Sequence, residues 1–501
     1  MTACKTATFK LEQEQTGFTV ETGESSAGTG SGSNEATAPI FNRKFTRREP
    51  LTTMDVPGPE NKNVCRRDSG NDGDRISSLP QSIIEHILTF IPLREAVKTS
   101  ILSTAWRNKW VNRPSLIFDD RFWTSFPVFE TSAQHEGVYV VDPNRINRLV
   151  LDVFRVLCYH KGPLKEFSLS IPQLSSYPAL VDQILLSLHE KCIERLCIEI
   201  DGYKLPSRLF SFRQLKKLKL FACGFTSSQI SFDQFSVLTC LDLRSTKFPD
   251  VAGVSLVVRC PLLSVLIMVD CGSAFNRLDI LIEAPSLSRF HCAGSFSSLR
   301  VKEAPLLKDV TIYQTASFVA HPMGTDDPSN CTKLCGGCPA VERLSITMGL
   351  FKDLPASKMM AQPLAKLMML KQLRMGEMCC SNLRDVLACL LLMEHSPNLQ
   401  ELIIDTVIKP SPCVDVEVRL IQLLCESRTY KPSRLEKVEL NQLQGLISEM
   451  CFLRWLLSAS PALDKMEITF SANSLPSEQI RTLKALNEFQ RASSKAQIKI
   501  K

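Results

Sequence analysis

A short pattern, Leu-x-x-Φ-x-Φ with Φ apolar, recurs twelve times between Leu164 and Ile468 and constrains this chain more than any other feature. It stands at Leu164-Phe167-Leu169, Ile193-Leu196-Ile198, Leu215-Leu218-Leu220, Leu238-Leu241-Leu243, Leu263-Leu266-Met268 and Leu287-Phe290-Cys292. It continues at Leu307-Val310-Ile312, Val341-Leu344-Ile346, Leu370-Leu373-Met375, Leu399-Leu402-Ile404, Leu435-Val438-Leu440 and Leu463-Met466-Ile468. In each copy the Φ-x-Φ pair alternates with period two, so it reads as a short strand with one buried face. A single unit has nothing to bury that face against. Stacked units share one core and align their strands as a parallel sheet.

The starts lie 20 to 36 residues apart, mostly 22 to 29, which is the spacing of leucine-rich repeats. Six copies carry a small residue and then Pro, with the small residue three positions before the start: Cys260-Pro261, Ala284-Pro285, Ala304-Pro305, Cys338-Pro339, Ser396-Pro397 and Ser460-Pro461. Pro lacks a donor and ends the preceding segment, so it suits the bend before each strand. The expected class is α/β: a leucine-rich-repeat solenoid with an inner parallel sheet and a helix or irregular turn outside each unit.

Ahead of the repeats, residues 1–70 read as a disordered tail, with the linker-like run Gly28 to Asn34 and no sustained period. The basic clusters Arg43-Lys44, Arg47-Arg48 and Arg66-Arg67 suit a solvated tail or a nuclear-import signal. The net charge of +7 over 501 residues does not suggest a nucleic-acid binder. No apolar run approaches the ~18 residues of a membrane span, and the start MTACKTATFKLEQEQ has no secretory h-region. Nineteen cysteines without such a signal point to free thiols in the cytoplasm or nucleus.

Enzyme signatures are sparse. Cys331, Cys335 and Cys338 have the C-x3-C-x2-C spacing that can hold three irons of a four-iron cluster, which resembles the radical-SAM signature. Cys338, however, occupies the small-residue slot of its repeat and has a packing reason to be there. No Gly-rich phosphate loop, Gly-x-Ser-x-Gly elbow or His-Glu-x-x-His is present, and the seven histidines are scattered. No catalytic residue, metal ligand or cofactor is expected.

Residues 75–118 carry more apolar surface than so short a segment can bury. Pro80 fits the first turn of a helix, and Ile83, Ile84, Ile87, Leu88 and Ile91 form a wide stripe along it. Pro92 stops that helix. Residues 93–102 read as a second, and Ser103 as the N-cap of a third that carries Trp106 and Trp110 on one face. Leu116-Ile117-Phe118 reads as a strand able to open the repeat sheet. A DNA-binding helix-turn-helix would need more basic residues than Arg94, Lys98, Arg107 and Lys109.

This segment resembles an F-box, in Leu79-Pro80, Ile87-Leu88, Leu102-Ser103, Trp106-Arg107 and Trp110; Thr104-Ala105 stand where the family usually has basic residues. Residues 397–480 resemble the FBD module, in KPSRLEKVELNQLQG and FLRWLLSASPALDKMEITF. F-box, repeats and FBD in this order resemble the plant F-box/FBD/LRR-repeat proteins. The organisation implied is a tail at 1–70, a three-helix F-box at 75–118, the solenoid at 140–396 and an FBD-like end at 397–480 that continues the repeats. The resemblance implies a non-catalytic substrate receptor of a Skp–cullin–F-box (SCF) ubiquitin ligase. It would bind a Skp-family adaptor, and through it cullin and RING subunits, by way of Leu79, Pro80, Ile84, Ile87, Leu88 and Trp106. The alternative is a repeat scaffold with no ligase role.

Residues alternating with the buried Φ pair should face the concave side of the solenoid. They are mostly charged and nearly balanced in sign, except in one repeat where Val265, Ile267 and Val269 are all apolar. These three are the expected target-binding patch, unless a loop covers them.

Overall fold

The computed structural model describes residues 79–104, 106–123, 143–170, 177–251, 253–272, 278–302, 304–314, 338–351, 367–408, 422, 424 and 430–501. The tail, its basic clusters, Cys331 and Cys335 lie outside these residues. The described chain opens with helices α1 (Gln81–Thr89) and α2 (Leu93–Lys98), strand β1 (Ser115–Phe118), and helices α3 (Asp120–Trp123) and α4 (Pro143–Tyr159). Then come β2 (Glu166–Ser170), α5 (Pro178–His189), β3 (Arg195–Glu199) and β4 (Lys217–Phe221). An all-strand stretch follows: β5 (Gln229–Ser231), β6 (Cys240–Arg244), β7 (Val254–Val258), β8 (Val265–Cys271), β9 (Leu278–Glu283), β10 (Arg289–Gly294), β11 (Ser298–Lys302) and β12 (Asp309–Gln314). Helices then return among β13 (Arg343–Thr347), β14 (Gln372–Met378), α6 (Leu383–Glu394), β15 (Glu401–Thr406), β16 (Lys437–Leu443), α7 (Ile447–Ala459), β17 (Lys465–Phe470), α8 (Pro476–Glu488) and β18 (Gln497–Ile500).

Among the described residues the inner sheet has 14 parallel strands in the order β1-β2-β3-β4-β6-β8-β10-β12-β13-β14-β15-β16-β17-β18. All twelve template copies are in it, and every Φ pair of the template is buried. The six small residues before Pro are buried too, Cys338 among them. At most of these bends the template residue donates its N–H to the small residue's carbonyl, as Leu287 does to Ala284 at 3.0 Å. A larger side chain there would have to displace the core.

A ladder of backbone bonds joins the strand entries. In each repeat the residue after the template start gives its N–H to the carbonyl of the equivalent residue one repeat earlier: Glu194 to Lys165, Lys216 to Glu194, Thr239 to Lys216, and so on to Gln497 and Asp464. The first rung belongs to the F-box-like segment at residues 75–118, for Lys165 and Glu166 both donate to Pro114 O, at 2.8 and 3.0 Å. Thr239, Ser264 and Ser288 add a hydroxyl rung each, at 2.9 Å.

Three features differ from the sequence reading. The outer side of four repeats is itself a parallel sheet, β11-β9-β7-β5, rather than a helix or irregular turn. Its strands alternate apolar residues at period two, as in Leu278-Ile280-Ile282. The second docking helix ends at Lys98 and continues as a 3-10 turn, Thr99–Ile101; Thr99 Oγ1 donates back to Ala96 O at 2.7 Å, a local bond that competes with further helix. The third helix is a series of tight turns ending in the 3-10 turn Lys109–Asn112, with Trp106 N–H on Ser103 O and Lys109 N–H on Trp106 O. Pro114 forces Arg113 into extended backbone and ends it.

The strand exits also repeat. Seven residues after their template starts, Ala222, Ser245, Asp270, Glu377 and Gln442 have left-handed φ between +48° and +63°, with Gly294 at the same position. A left-handed residue bearing Cβ costs roughly 1–2 kcal/mol, and Gly gives back about half through unfolded-chain entropy. Ala222→Gly is therefore expected to raise the urea midpoint, worth about 0.5–1 kcal/mol. The Ala222 N–H bond to Arg244 O survives the change. A lowered midpoint would refute the strain argument.

The helices after β14, β16 and β17 each start on an acid. Asp385 accepts from Cys379 N–H at 3.0 Å, and Glu478 from Leu475 N–H at 3.3 Å. Glu449, almost wholly buried, takes the N–H groups of Gln444, Gly445 and Leu446 on one oxygen, at 3.1, 2.8 and 3.0 Å. Burial pushes its carboxyl pKa up, against the pull of those three donors.

Candidate functional site

The chain offers two surfaces. The first is the F-box-like segment at residues 75–118. Its wide apolar stripe divides in two: Ile84 and Leu88 turn inward and are buried, while Ile83, Ile87 and Phe90 turn outward at 46%, 40% and 76% exposure. The inward pair is one helical turn apart, and the outward three follow at i, i+4 and i+7 along α1 and its C-cap Phe90, so the helix has two apolar faces. Ile101 and Leu102, just beyond α2, are exposed at 85% and 70%. Of the six residues expected to meet an adaptor, Pro80 and Ile87 are exposed and Leu79 is half-buried. Ile84, Leu88 and Trp106 belong to the chain's own core.

Polar contacts lock this segment together. Asn112 Nδ2 donates to Glu85 Oε1 at 3.1 Å, Lys109 Nζ to Gln81 Oε1 at 2.5 Å, and Arg113 Nη2 to Thr89 O at 3.2 Å. The same stretch is fastened to the repeats. β1 pairs with β2 in parallel register, and Lys161 and Gly162 give their N–H groups to Val111 O. A Cβ on Gly162 would lie 2.6 Å from Asn112 Cα, so only glycine lets the two backbones approach this closely.

His160 completes the junction. Its Nε2–H donates to Arg113 O at 2.7 Å, and Nδ1 is buried with no partner among the described residues. Burial lowers its pKa, with the nearby Lys191 charge acting the same way and the Arg113 carbonyl opposing. The neutral ring is thus favoured by folding, while the unfolded chain takes up a proton near pH 6.5. Stability is complete above that value and falls as pH drops through it toward the lowered folded pKa, by at most about 1.4 kcal/mol per pH unit. A His160→Gln chain should show a flatter thermal-melt profile between pH 7.5 and 5.5; an unchanged slope would exclude His160 as the cause.

The second surface is the concave face. Register sets its residues in rows across the strands, such as Arg195, Lys217, Cys240, Val265, Arg289, Asp309 and Arg343. The near balance of charge expressed in the sequence resolves into pairs. Arg374 grips Asp405 at 2.9 and 3.3 Å, and Asn441 adds a bond to the same carboxylate. Lys437 meets Glu401 at 2.5 Å and lies near Glu439 and Glu467. Lys465 and Lys501 also bind Glu467, whose carboxyl these ammonium groups hold down at about 2. Equal template offsets face each other in register for Lys437 with Glu401 and Asn441 with Asp405, while Arg374 reaches Asp405 on the diagonal. Val265 and Ile267 are half-buried on this face, while Val269 is buried.

Among the described residues no group of His, Cys, Asp or Glu is placed to hold a metal ion, and no helix is long and apolar enough to cross a membrane.

Residues 76–118 match the F-box domain, and residues 181–326 match the LRR repeats of FBD-associated F-box protein At5g56370. The F-box/FBD/LRR-repeat protein At1g13570 of Arabidopsis thaliana is 30% identical over 436 residues, 86% of this chain and 99% of that protein. FBD-associated F-box protein At1g66310 of the same plant is 25% identical, over 84% of this chain and 95% of that protein. F-box/LRR-repeat protein 13, also from Arabidopsis, is 27% identical over 52% and 56%. The two-faced helix α1, the repeat sheet that its segment opens into and the near full-length match to At1g13570 together place the chain in the plant F-box/FBD/LRR-repeat protein family.

Proposed function

We propose that this chain is the substrate-recognition subunit of an SCF-type E3 ubiquitin ligase. Its F-box binds a Skp-family adaptor, the adaptor links it to cullin and RING subunits, and the concave repeat face holds the protein to be ubiquitinated. The chain performs no chemistry of its own; it supplies proximity. It works in the cytoplasm or nucleus, with residues 397–480 as an FBD-like end that extends the repeat face.

One observation carries the reading. α1 buries Ile84 and Leu88 and still presents Ile83, Ile87 and Phe90 to solvent. A helix so short gains nothing from a second apolar face unless another chain covers it. Leu79, Pro80, Ile83, Ile87 and Phe90 are the contacts this predicts; Ile84, Leu88 and Trp106 support them from within.

Co-expression of the full chain with a Skp-family adaptor tests the proposal, with size-exclusion chromatography as the readout. The two are expected to elute as one complex that then recruits a cullin–RING pair. A chain that elutes apart from the adaptor would leave it as a repeat scaffold.

A further inference from the structure

We infer that the concave face at β8 takes an extended segment of the target in which a bulky aliphatic side chain is flanked by carboxylates. This deepens the target-holding role proposed above and rests on it. The floor is Val265 and Ile267, half-buried side chains in a face otherwise mostly polar and charged. What surrounds that floor gives the chemistry of the occupant.

Of the acids nearest to it, Asp270 at the exit of β8 is exposed and the two on nearby strands are engaged. Asp242, on the adjacent strand β6, is buried and accepts from Arg244 Nε at 2.9 Å. Asp309 is clamped by Arg343, whose Nη2 lies 2.6 Å from it. Among the bases around it, Arg244 is held by Asp242, and those beyond are not neutralised in the same way. Lys217 and Lys219, both exposed on β4, have no ion pair or hydrogen bond among the described residues. Arg289, on β10, is 63% exposed and reaches only to 3.9 Å from the already occupied Asp309. Glu199 is the other exposed acid nearby, two strand positions from β6 at the far side of the lysines.

Strand order then fixes a spacing. β4 lies two strands from β8 on one side and β10 lies one strand away on the other. At roughly 4.8 Å per strand, the lysines stand about 10 Å and Arg289 about 5 Å from the apolar floor. A peptide crossing the strands would seat its aliphatic residue on Val265 and Ile267 and set acidic residues over Lys217, Lys219 and Arg289. A basic or neutral segment would leave those cations uncompensated. Complementarity of this kind governs specificity and on-rate more than raw affinity, and it weakens as salt rises.

Panning a phage-displayed library of random dodecapeptides against the full chain tests the inference. Enriched peptides should carry acidic residues on both sides of an aliphatic one. Synthetic copies should bind about tenfold or more weakly to a Lys217→Glu/Lys219→Glu chain, and more weakly at high salt. Both lysines are exposed, so this variant keeps its fold; Ile267→Asp, judged by its melt, adds the apolar arm. Failure to enrich above bare resin, enrichment of neutral or basic peptides, or affinity indifferent to the lysine pair would each overturn it. Adaptor binding measured on the same preparations separates the two levels: peptides bound without adaptor would sink the ligase role and leave this site standing.

Discussion

A chain carrying Ile87→Asp together with Phe90→Asp is expected to melt as the parent does and to lose a Skp-family adaptor by about a thousandfold. Anchors in a desolvated interface cost 2 kcal/mol or more each when truncated, and about 4 kcal/mol corresponds to three decades of affinity. Both side chains lie outside the core, and a carboxylate at either position remains in water in the free chain. The same substitution one position along gives the opposite result. Leu88→Asp puts a charge into the buried side of α1, where it has no partner, and is expected to unfold the F-box. Isothermal titration with purified adaptor, alongside circular dichroism, distinguishes the two. Wild-type affinity for Ile87→Asp/Phe90→Asp would show that the adaptor does not use this face.

Glu449→Ala should cost about 3 kcal/mol, the largest loss of stability expected from a single polar residue in the C-terminal repeats. The substitution orphans three part-buried backbone N–H groups at the entrance to α7, and an unsatisfied donor costs about 1–3 kcal/mol when buried, so about 1 kcal/mol each is expected here. One oxygen accepts all three bonds, so an amide oxygen can take its place. Glu449→Gln is therefore expected to lose no more than about 1 kcal/mol, since it also removes the burial penalty on a charge. Urea unfolding of both variants tests the ordering. Equal losses would mean that the charge, and not the acceptor, does the capping.

Much of this architecture is legible in the residues. The Φ pairs marked every inner strand from β2 to β17, and the buried slot at Cys260, Ala284, Ala304, Cys338, Ser396 and Ser460 explains why small residues precede those bends. β1 is legible in Leu116-Ile117-Phe118. β18 is not, since Ile498 and Ile500 stand in a stretch with no template leucine before them. The outer sheet escaped for a different reason. Its strands fall between template copies, where the repeat spacing draws attention to a connector, although Val254-Leu256-Val258 alternates as clearly as any inner strand. At the docking surface, the apolar stripe on α1 was plain but its division was not. Which of two neighbouring isoleucines, Ile83 or Ile84, turns inward depends on how the helix rolls against the 3-10 turn that carries Trp110, and periodicity alone does not specify that roll.

The Pro114 rung bears on how such a receptor would work. Since the exit of the F-box is also the opening strand of the repeat sheet, no swivel lies between the two surfaces. A target gripped at the repeats would stand at a set bearing from the adaptor, as a workpiece does in a vice bolted to its bench. Reach would then be a property of the target: only an acceptor lysine that its own shape swings into range would be modified, and two targets held at the same spot would differ in outcome by geometry alone.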